Sequence, residues 1–452
     1  MNLRNKNIQY SIAQSGAERS TAPRLTVAFS PLTRMGTEKE ARVPANGCLI
    51  VGQDAAGSKV FHCRLSQFFK RLVPLFICLI SANYCFADDD TTNFVPSNPS
   101  AMAPITSHHT PAYHAAKWFK HGVNLGDYLE VPPGQGWGVT VSTNDFVEIA
   151  AQGFDHVRVP VGWQHYAGPA PDFKLSPAIF SCVDFAVTNA LKNRLAVIIN
   201  IHHFDEMDEN PADATPEFLA IWRQIAAHYQ EFPPRLAFEL DNEPHQNATT
   251  ALMNPIYALT IAEIRRSNPR RTVFVEPGNW GNIDELKNLV LPSDKNIIVS
   301  VHCYDPFYFT HQGATWAGPD TKVTGIHFPG PPATPLIPDP SLNINPWVKR
   351  WIERYNTLPP DQNPSGPIAF EGELKYARAW SDYYGRPIHL GEFGCFTTAD
   401  QKSRANFYGA FRRACERENI GWAIWDWNAT FRYWDERDGR PLPGMHEALF
   451  GK

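Results

Sequence analysis

Glu243 and Glu392 occupy the two places in this chain where a carboxyl group is best set to do chemistry. Glu243 follows the apolar run Leu236 to Leu240 in Asn242-Glu243-Pro244, and Glu392 lies in His389-Leu390-Gly391-Glu392-Phe393-Gly394. Apolar runs of roughly four to eight residues read as buried strands, so each acid is expected at a strand's C-terminal tip. Pro244 should block further regular pairing and bias Glu243 away from the helical region. Two carboxyl groups on one face suit glycoside hydrolysis. One, protonated, gives its proton to the leaving oxygen; the other, charged, attacks the anomeric carbon. Glu392 is the expected nucleophile, because flanking glycines admit a close sugar approach and Tyr304 can donate to it; Arg158 can keep a nearby carboxylate ionised. Glu243 is the expected acid/base, with Asn242 beside it to hold the sugar 2-hydroxyl. For retention the two carboxyl groups should lie about 5–5.5 Å apart.

Delivering both acids to one face requires a repeating scaffold. Strand-like runs are Gly122 to Leu125, His156 to Pro160, Ala196 to Asn200, Leu236 to Leu240, Thr272 to Glu276, Ile297 to Val301, Ile388 to Gly391 and Gly421 to Asp426. Helical patterns lie between most of them, at Thr143 to Ala151, Pro177 to Asn193, Thr215 to Tyr229, Leu252 to Ser267 and Ser403 to Glu418. Eight strands interleaved with helices predict an α/β fold, a (β/α)8 TIM barrel. The spacing breaks between the sixth and seventh strands, where Cys303 to Pro387 forms an enlarged excursion. It holds a Pro-rich segment, Phe328 to Pro340, and helices near Pro346 to Tyr355 and Glu371 to Tyr384. It should overhang the C-terminal face, where barrel enzymes place their chemistry. If the Pro-rich segment walls off one end of the groove, the enzyme is exo-acting or takes short oligosaccharides.

The predicted strand ends carry Asn124, Arg158, His202, His203, Asn242, Glu243, Glu276, His302, Tyr304, Glu392, Trp425 and Asp426. Each alone has an ordinary structural explanation; together on one rim they point to a polar site. Trp137, Trp163, Trp280, Trp316 and Trp425 also follow or end strands, and flat aromatics pack against pyranose rings. Core packing is the alternative for each of them; Trp425 is the expected floor beneath the central sugar. His202, His203, Asp205 and Glu206 match no HExxH spacing, and neighbouring side chains on a strand point to opposite faces. No metal and no cofactor is therefore expected. Asp205, Glu206, Asp208 and Glu209 read as solvated loop acids, with calcium the lesser alternative.

With 452 residues, 43% of them hydrophobic, the chain can bury a large core, and 39 prolines imply long, shaped loops. A net charge of -5 supplies no field for nucleic acid or an anionic membrane. Residues 62–87 run from a basic flank through the short apolar stretch Leu72 to Cys85 to Ala87, followed by Asp88-Asp89-Asp90. This reads as an export signal, too short to span a membrane comfortably; a buried or interfacial helix is the alternative. The expected localisation is extracellular or periplasmic. Residues 1–61 are expected to be unstructured or to precede the true start, with Met35 one internal candidate. Residues 88–112 read as a flexible tether and 113–452 as the catalytic domain. Cys303 and Cys395 lie near strand ends and can pair or remain free; no CxxC is present.

From Trp118 to Phe450 the chain resembles glycoside hydrolase family 5, the cellulase family. The resemblance is carried by GVNLGDYLE from Gly122, DHVRVPVGW from Asp155, VIINIHHFDE from Val197, FELDNEP from Phe238, VHCYDPFYFTHQG from Val301, HLGEFG from His389 and GWAIWDW from Gly421. It implies a retaining barrel hydrolase of β-linked glucans or mannans, most like bacterial endo-β-1,4-glucanases. It also implies functional roles for Arg158, His202, Asn242, Glu243, His302, Tyr304, Glu392 and Trp425. The matching residues of that family are the acid/base at Glu243 and the nucleophile at Glu392. A β-linked polysaccharide or oligosaccharide is the expected partner, with no nucleic acid, no stable membrane insertion and no protein partner implied. The rivals are the same chemistry on mannan, xyloglucan or a β-glucoside, and a non-catalytic carbohydrate-binding protein.

Overall fold

The computed structural model describes residues 102–451. The expectations for residues 1–61 and 62–87, and the start of the tether, lie outside them. Eight parallel strands close into a barrel in sequence order: β1 (His121–Asn124), β2 (His156–Val159), β3 (Ala196–Asn200), β4 (Leu236–Glu239), β5 (Val273–Val275), β6 (Ile297–His302), β7 (Ile388–Phe393) and β8 (Gly421–Ile424). Every residue of β2 to β8 is buried. That is why these runs read as nearly continuous Val, Ile, Leu and Phe: a parallel sheet is covered on both faces.

The helices begin where short polar side chains satisfy free backbone amides. Ser142 and Asp145 form a reciprocal capping box on Thr143–Gln152, Ser176 precedes the Pro-led Pro177–Lys192, and Asp400 accepts from Ser403 N at 2.9 Å to start Gln401–Arg417. Side chains alternate along the strands. Outward ones build the main core against the helices. Inward ones form a small plug of Ala196, Ile198, Ala237, Phe274 and Ile298, closed from below by Phe119. Above this plug the inward positions turn polar, and there the site begins.

The enlarged excursion between β6 and β7 is present, with helices Pro346–Thr357 and Ile368–Tyr384. Its Pro-rich part is fastened to the flank of the barrel. Phe328 packs on Phe309, Phe370 and Phe407, Gly330 N donates to Ser365 O at 2.8 Å, and Leu336 N donates to Asn356 Oδ1 at 2.8 Å. These partners belong to the excursion itself and to its flanking helices, so these contacts hold the segment against the barrel's side. After β8, Trp434–Asp435 pairs antiparallel with Arg440–Pro441 in a hairpin around Gly439, and helix Met445–Phe450 follows.

The tether expectation fails for residues 102 to 112. Met102 is buried and its sulfur accepts from Leu291 N, Ile105 N donates to Tyr384 O at 3.0 Å, and Ala112 N to Lys295 O at 3.2 Å. Composition suggested a linker, but backbone bonds and one apolar anchor seat this stretch on the barrel. A cavity of about 390 Å³ lies beneath it at the N-terminal ends of the strands, lined by Phe119, Lys120, His389 and Gly421 among others, and neither glutamate reaches it. Among the described residues Cys182, Cys303, Cys395 and Cys415 are all free thiols, and no helix is long and apolar enough to cross a membrane.

Candidate active site

Four strand ends bring the two acids together. An oxygen of Glu243, past β4, and one of Glu392, on β7, lie within 4.8 Å of each other and of a His302 ring nitrogen. Glu392 accepts from Arg158 Nη1 at 2.7 Å and from Tyr304 OH at 2.8 Å, so both its oxygens are held. Glu243 Oε1 meets His302 Nδ1 at 2.8 Å. The Glu243 side chain is 24% exposed and that of Glu392 5%. The first can therefore meet a leaving group and water, while the second sits at the base of the cleft.

Arg158 is the hub. Fully buried on β2, it donates to both oxygens of Glu239 at 2.9 Å, to Asn124 Oδ1 at 2.8 Å and to Asn242 Oδ1 at 2.6 Å. With its Oδ1 taken, Asn242 retains its Nδ2 amide as a donor, the group a sugar hydroxyl would need. Asn124 is itself fully buried and donates to Gly391 O and Ile424 O. It is a brace between strands, not the further subsite expected from sequence.

Two local expectations are overturned, and a third holds in an unforeseen form. Glu243 does leave the right-handed helical region: its φ is +52°, left-handed, with Glu276 Oε2 accepting its amide proton at 2.8 Å. A proline at the next position disfavours right-handed helix, and the tertiary bond selects the left-handed alternative. The glycines beside Glu392 make room for protein, not sugar. A Cβ on Gly391 would lie 2.5 Å from Ser300 Oγ and 2.9 Å from His302 Nε2, and one on Gly394 too close to Trp425 O. The protonation order also differs. Burial would raise Glu243, but its hydrogen bond and attraction to charged His302 hold it below the usual carboxylate range. Burial pushes Glu392 up; His302, Arg158 and Tyr304 pull back without cancelling it. His302 thus satisfies the acid meant to be protonated, and depth in the barrel works against charge on the other.

Residues 116–431 match the family model for cellulase, glycosyl hydrolase family 5. The chain belongs to that family. It is 27% identical over 373 residues to endoglucanase 3 of Fibrobacter succinogenes, covering 78% of this chain and 56% of that protein. Against endoglucanase H of Acetivibrio thermocellus it is 26% identical over 336 residues, covering 74% of this chain and 31% of that protein. The chain thus spans about a third to about half the length of these two relatives. The solved structure of endoglucanase Cel5A from Thermotoga maritima is 32% identical, with a TM-score of 0.66 over 75% of this chain and all of that one.

Around the acids of this family-5 site lies an aromatic rim. Trp425 lies parallel to the His202 ring, 5.8 Å between centroids and 9° between planes. A Cβ on Gly126 would come within 2.7 Å of the Trp425 ring, so only glycine lets the indole lie there. Trp137, Trp280 and Trp316 are 43%, 42% and 62% exposed. Trp137 meets His203 edge-on and Trp280 stacks on His245 at 4.8 Å. Trp163 does not join them. It is fully buried and donates to Asn200 O at 3.0 Å, so it serves packing and the expected subsite falls away. His202 and His203 do not diverge as strand neighbours would, because His203 lies beyond β3 at φ +54° and the two rings are 4.3 Å apart. Nor are the acids after it all solvated: Asp208 is buried, accepts from His245 N at 2.8 Å and is pushed up to about 7, chiefly by burial. Asp426 turns away from the cleft and takes the amides of Ala429 and Phe431 at 2.7 and 3.0 Å.

Sequence reasoning gave no role to Glu239 and little to Glu276. Both are fully buried beneath the cleft, against Arg158 at 2.9 and 3.4 Å. An acid inside the run Leu236 to Leu240 was a signal, since its inward parity matches that of Ala237. Replacing Arg158 with leucine is expected to cost about 3–5 kcal/mol of stability, because Glu239 and Glu276 would be left buried with their shared cation gone. Urea unfolding monitored by tryptophan fluorescence measures it; a loss under about 1 kcal/mol would show that the acids compensate without Arg158.

Proposed function

We propose that this chain is a retaining glycosidase that cleaves β-1,4-glucan within the chain through a covalent glycosyl-enzyme intermediate. The observation that carries this reading is the approach of the Glu243 and Glu392 carboxylates within 4.8 Å. That is the separation for direct attack, since an inverting pair needs about 6.5–9.5 Å to admit water. A Glu392 oxygen bonds to the anomeric carbon as the glycosidic C–O bond breaks, and Glu243 gives a proton to the departing oxygen. Water then enters, Glu243 takes its proton, and the new hydroxyl displaces Glu392 from the sugar. His302 Nδ1 stands 2.8 Å from Glu243 Oε1, a contact along which a proton can be exchanged with the acid.

Endo action is supported by the fastening of the Pro-rich segment to the barrel flank and by the three exposed tryptophans spread around the cleft. β-Glucan is supported by the endoglucanase relatives. Mannan is the second reading, because the Thermotoga maritima enzyme, 31% identical, has been solved in complex with mannotriose. A product profile on cellulose, lichenan, mannan and xyloglucan tests both. A ladder of cello-oligosaccharides is expected. A single small product would replace endo with exo action, and turnover of mannan alone would replace the substrate.

A further inference from the structure

Glu276 has no part in the steps above, yet it touches both groups that govern the acid/base. It lies just beyond β5, fully buried. Its Oε2 accepts from the Glu243 amide at 2.8 Å, the bond that accompanies the left-handed turn of that residue. Its Oε1 lies 3.2 Å from His302 Nε2, an ion-pair distance off the line of a good hydrogen bond. His302 Nδ1 in turn meets the Glu243 carboxylate at 2.8 Å. The chain from Glu276 therefore closes on Glu243 twice, once through its backbone and once through its side chain.

We propose that Glu276 is the positioning residue of the acid/base, fixing where the Glu243 carboxyl stands over the cleft and holding His302 as the donor that faces it. The proposal rests on Glu243 being the acid/base and deepens that reading. A carboxylate suits this place because it can accept at both oxygens. Glutamine would set an NH2 against either the Glu243 amide or the His302 ring, and aspartate is one methylene too short to keep both contacts.

The charges around His302 agree. Arg158 reaches in from β2, His202 follows β3, Glu239 and Glu243 come from β4 and its end, Glu276 follows β5, and His389 and Glu392 come from β7, with Tyr304 two residues past the end of β6. Burial pulls His302 down, but the charges of Glu276 and Glu392 and the bonds to Glu243 and Glu276 hold it well above the ordinary histidine range. Burial, the charge of Glu239 and a hydrogen bond to it hold Glu276 well above the usual carboxylate range, opposed by His302, so Glu276 and His302 share a proton. The pair thus keeps a proton available beside Glu243. The sign follows: without the Glu276 carboxyl to share and stabilise its proton, His302 loses that proton at lower pH, so the alkaline limb of activity moves toward acid.

The test is E276Q in the full chain, with kcat/KM measured against pH on cellotetraose and on dinitrophenyl cellobioside, whose leaving group needs no proton. We expect a loss of about 10²-fold on cellotetraose, a much smaller one on the activated substrate, and an alkaline limb displaced to lower pH. Equal losses on both substrates with an unmoved limb, or wild-type behaviour, overturn the proposal. E243A run in parallel separates the two claims: if E243A itself shows no leaving-group selectivity, the acid/base reading fails first. Should E276Q not fold, imidazole ¹⁵N NMR of the wild-type protein decides. A His302 ring protonated at both nitrogens at neutral pH supports the role, and a neutral ring refutes it.

Discussion

Glu392→Gln is expected to lower turnover of every β-glucoside by at least about 10⁴-fold, as removal of a nucleophile does elsewhere, while glucan binding stays within a few-fold. An amide nitrogen cannot carry the glycosyl group, and no other acid is in reach of the anomeric carbon once Glu243 is committed to the proton. Binding survives because the geometry has an outlet. The amide oxygen can take the Arg158 Nη1 bond now 2.7 Å long, and the amide NH2 can face Tyr304, whose hydroxyl accepts as well as donates. Arg158 keeps its two bonds to Glu239, so the variant should fold. Hydrolysis of dinitrophenyl cellobioside and calorimetric titration with cellotetraose give the two readings. Near wild-type hydrolysis by the variant would remove Glu392 from the reaction.

Glu243→Ala is expected to divide substrates by leaving group. On cellotetraose the loss should be about 10²–10⁴-fold, the usual worth of a placed general acid. For dinitrophenyl cellobioside the first step should be nearly untouched, with intermediate accumulating because no base remains to activate water. A pre-steady-state burst of dinitrophenol reports this directly. Equal losses on both substrates and no burst would mean that Glu243 only shapes the cleft. The wild-type contact between Glu243 and His302 makes this the sharper of the two tests, since it asks which member of that pair delivers the proton.

Much of this was legible in the chain because it depends on short-range rules. Fully buried parallel strands read as apolar runs, so the barrel and all eight strands could be located, with ends differing by a residue or two. β6 extends one residue to His302 and β7 two residues to Phe393, because pairing continues into positions whose polarity suggested a rim. The failures share one cause. Trp163, Asn124 and the glycines around Glu392 were assigned to sugar on residue type, and each is occupied by protein, because type does not reveal what stands opposite in a closed barrel. Residues 102 to 112 were assigned to a tether on composition, and a handful of backbone bonds reversed that.

What the sequence determined by itself was the inventory and its periodicity: eight apolar strands, acids and aromatics at their ends, and the enlarged stretch between the sixth and seventh. The direction in which the two glutamates face came from packing between strands. Along β7 His389 and Gly391 point inward, so simple alternation would send Glu392 outward. The register shifts by one residue between β6 and β7, pairing His302 with Glu392 instead of Gly391, and this turns the carboxylate in toward Arg158. Glu243 is turned by its left-handed backbone, tied to Glu276 on the neighbouring strand's end. Both devices depend on an adjacent strand distant in sequence, and a pattern of period two carries no record of them.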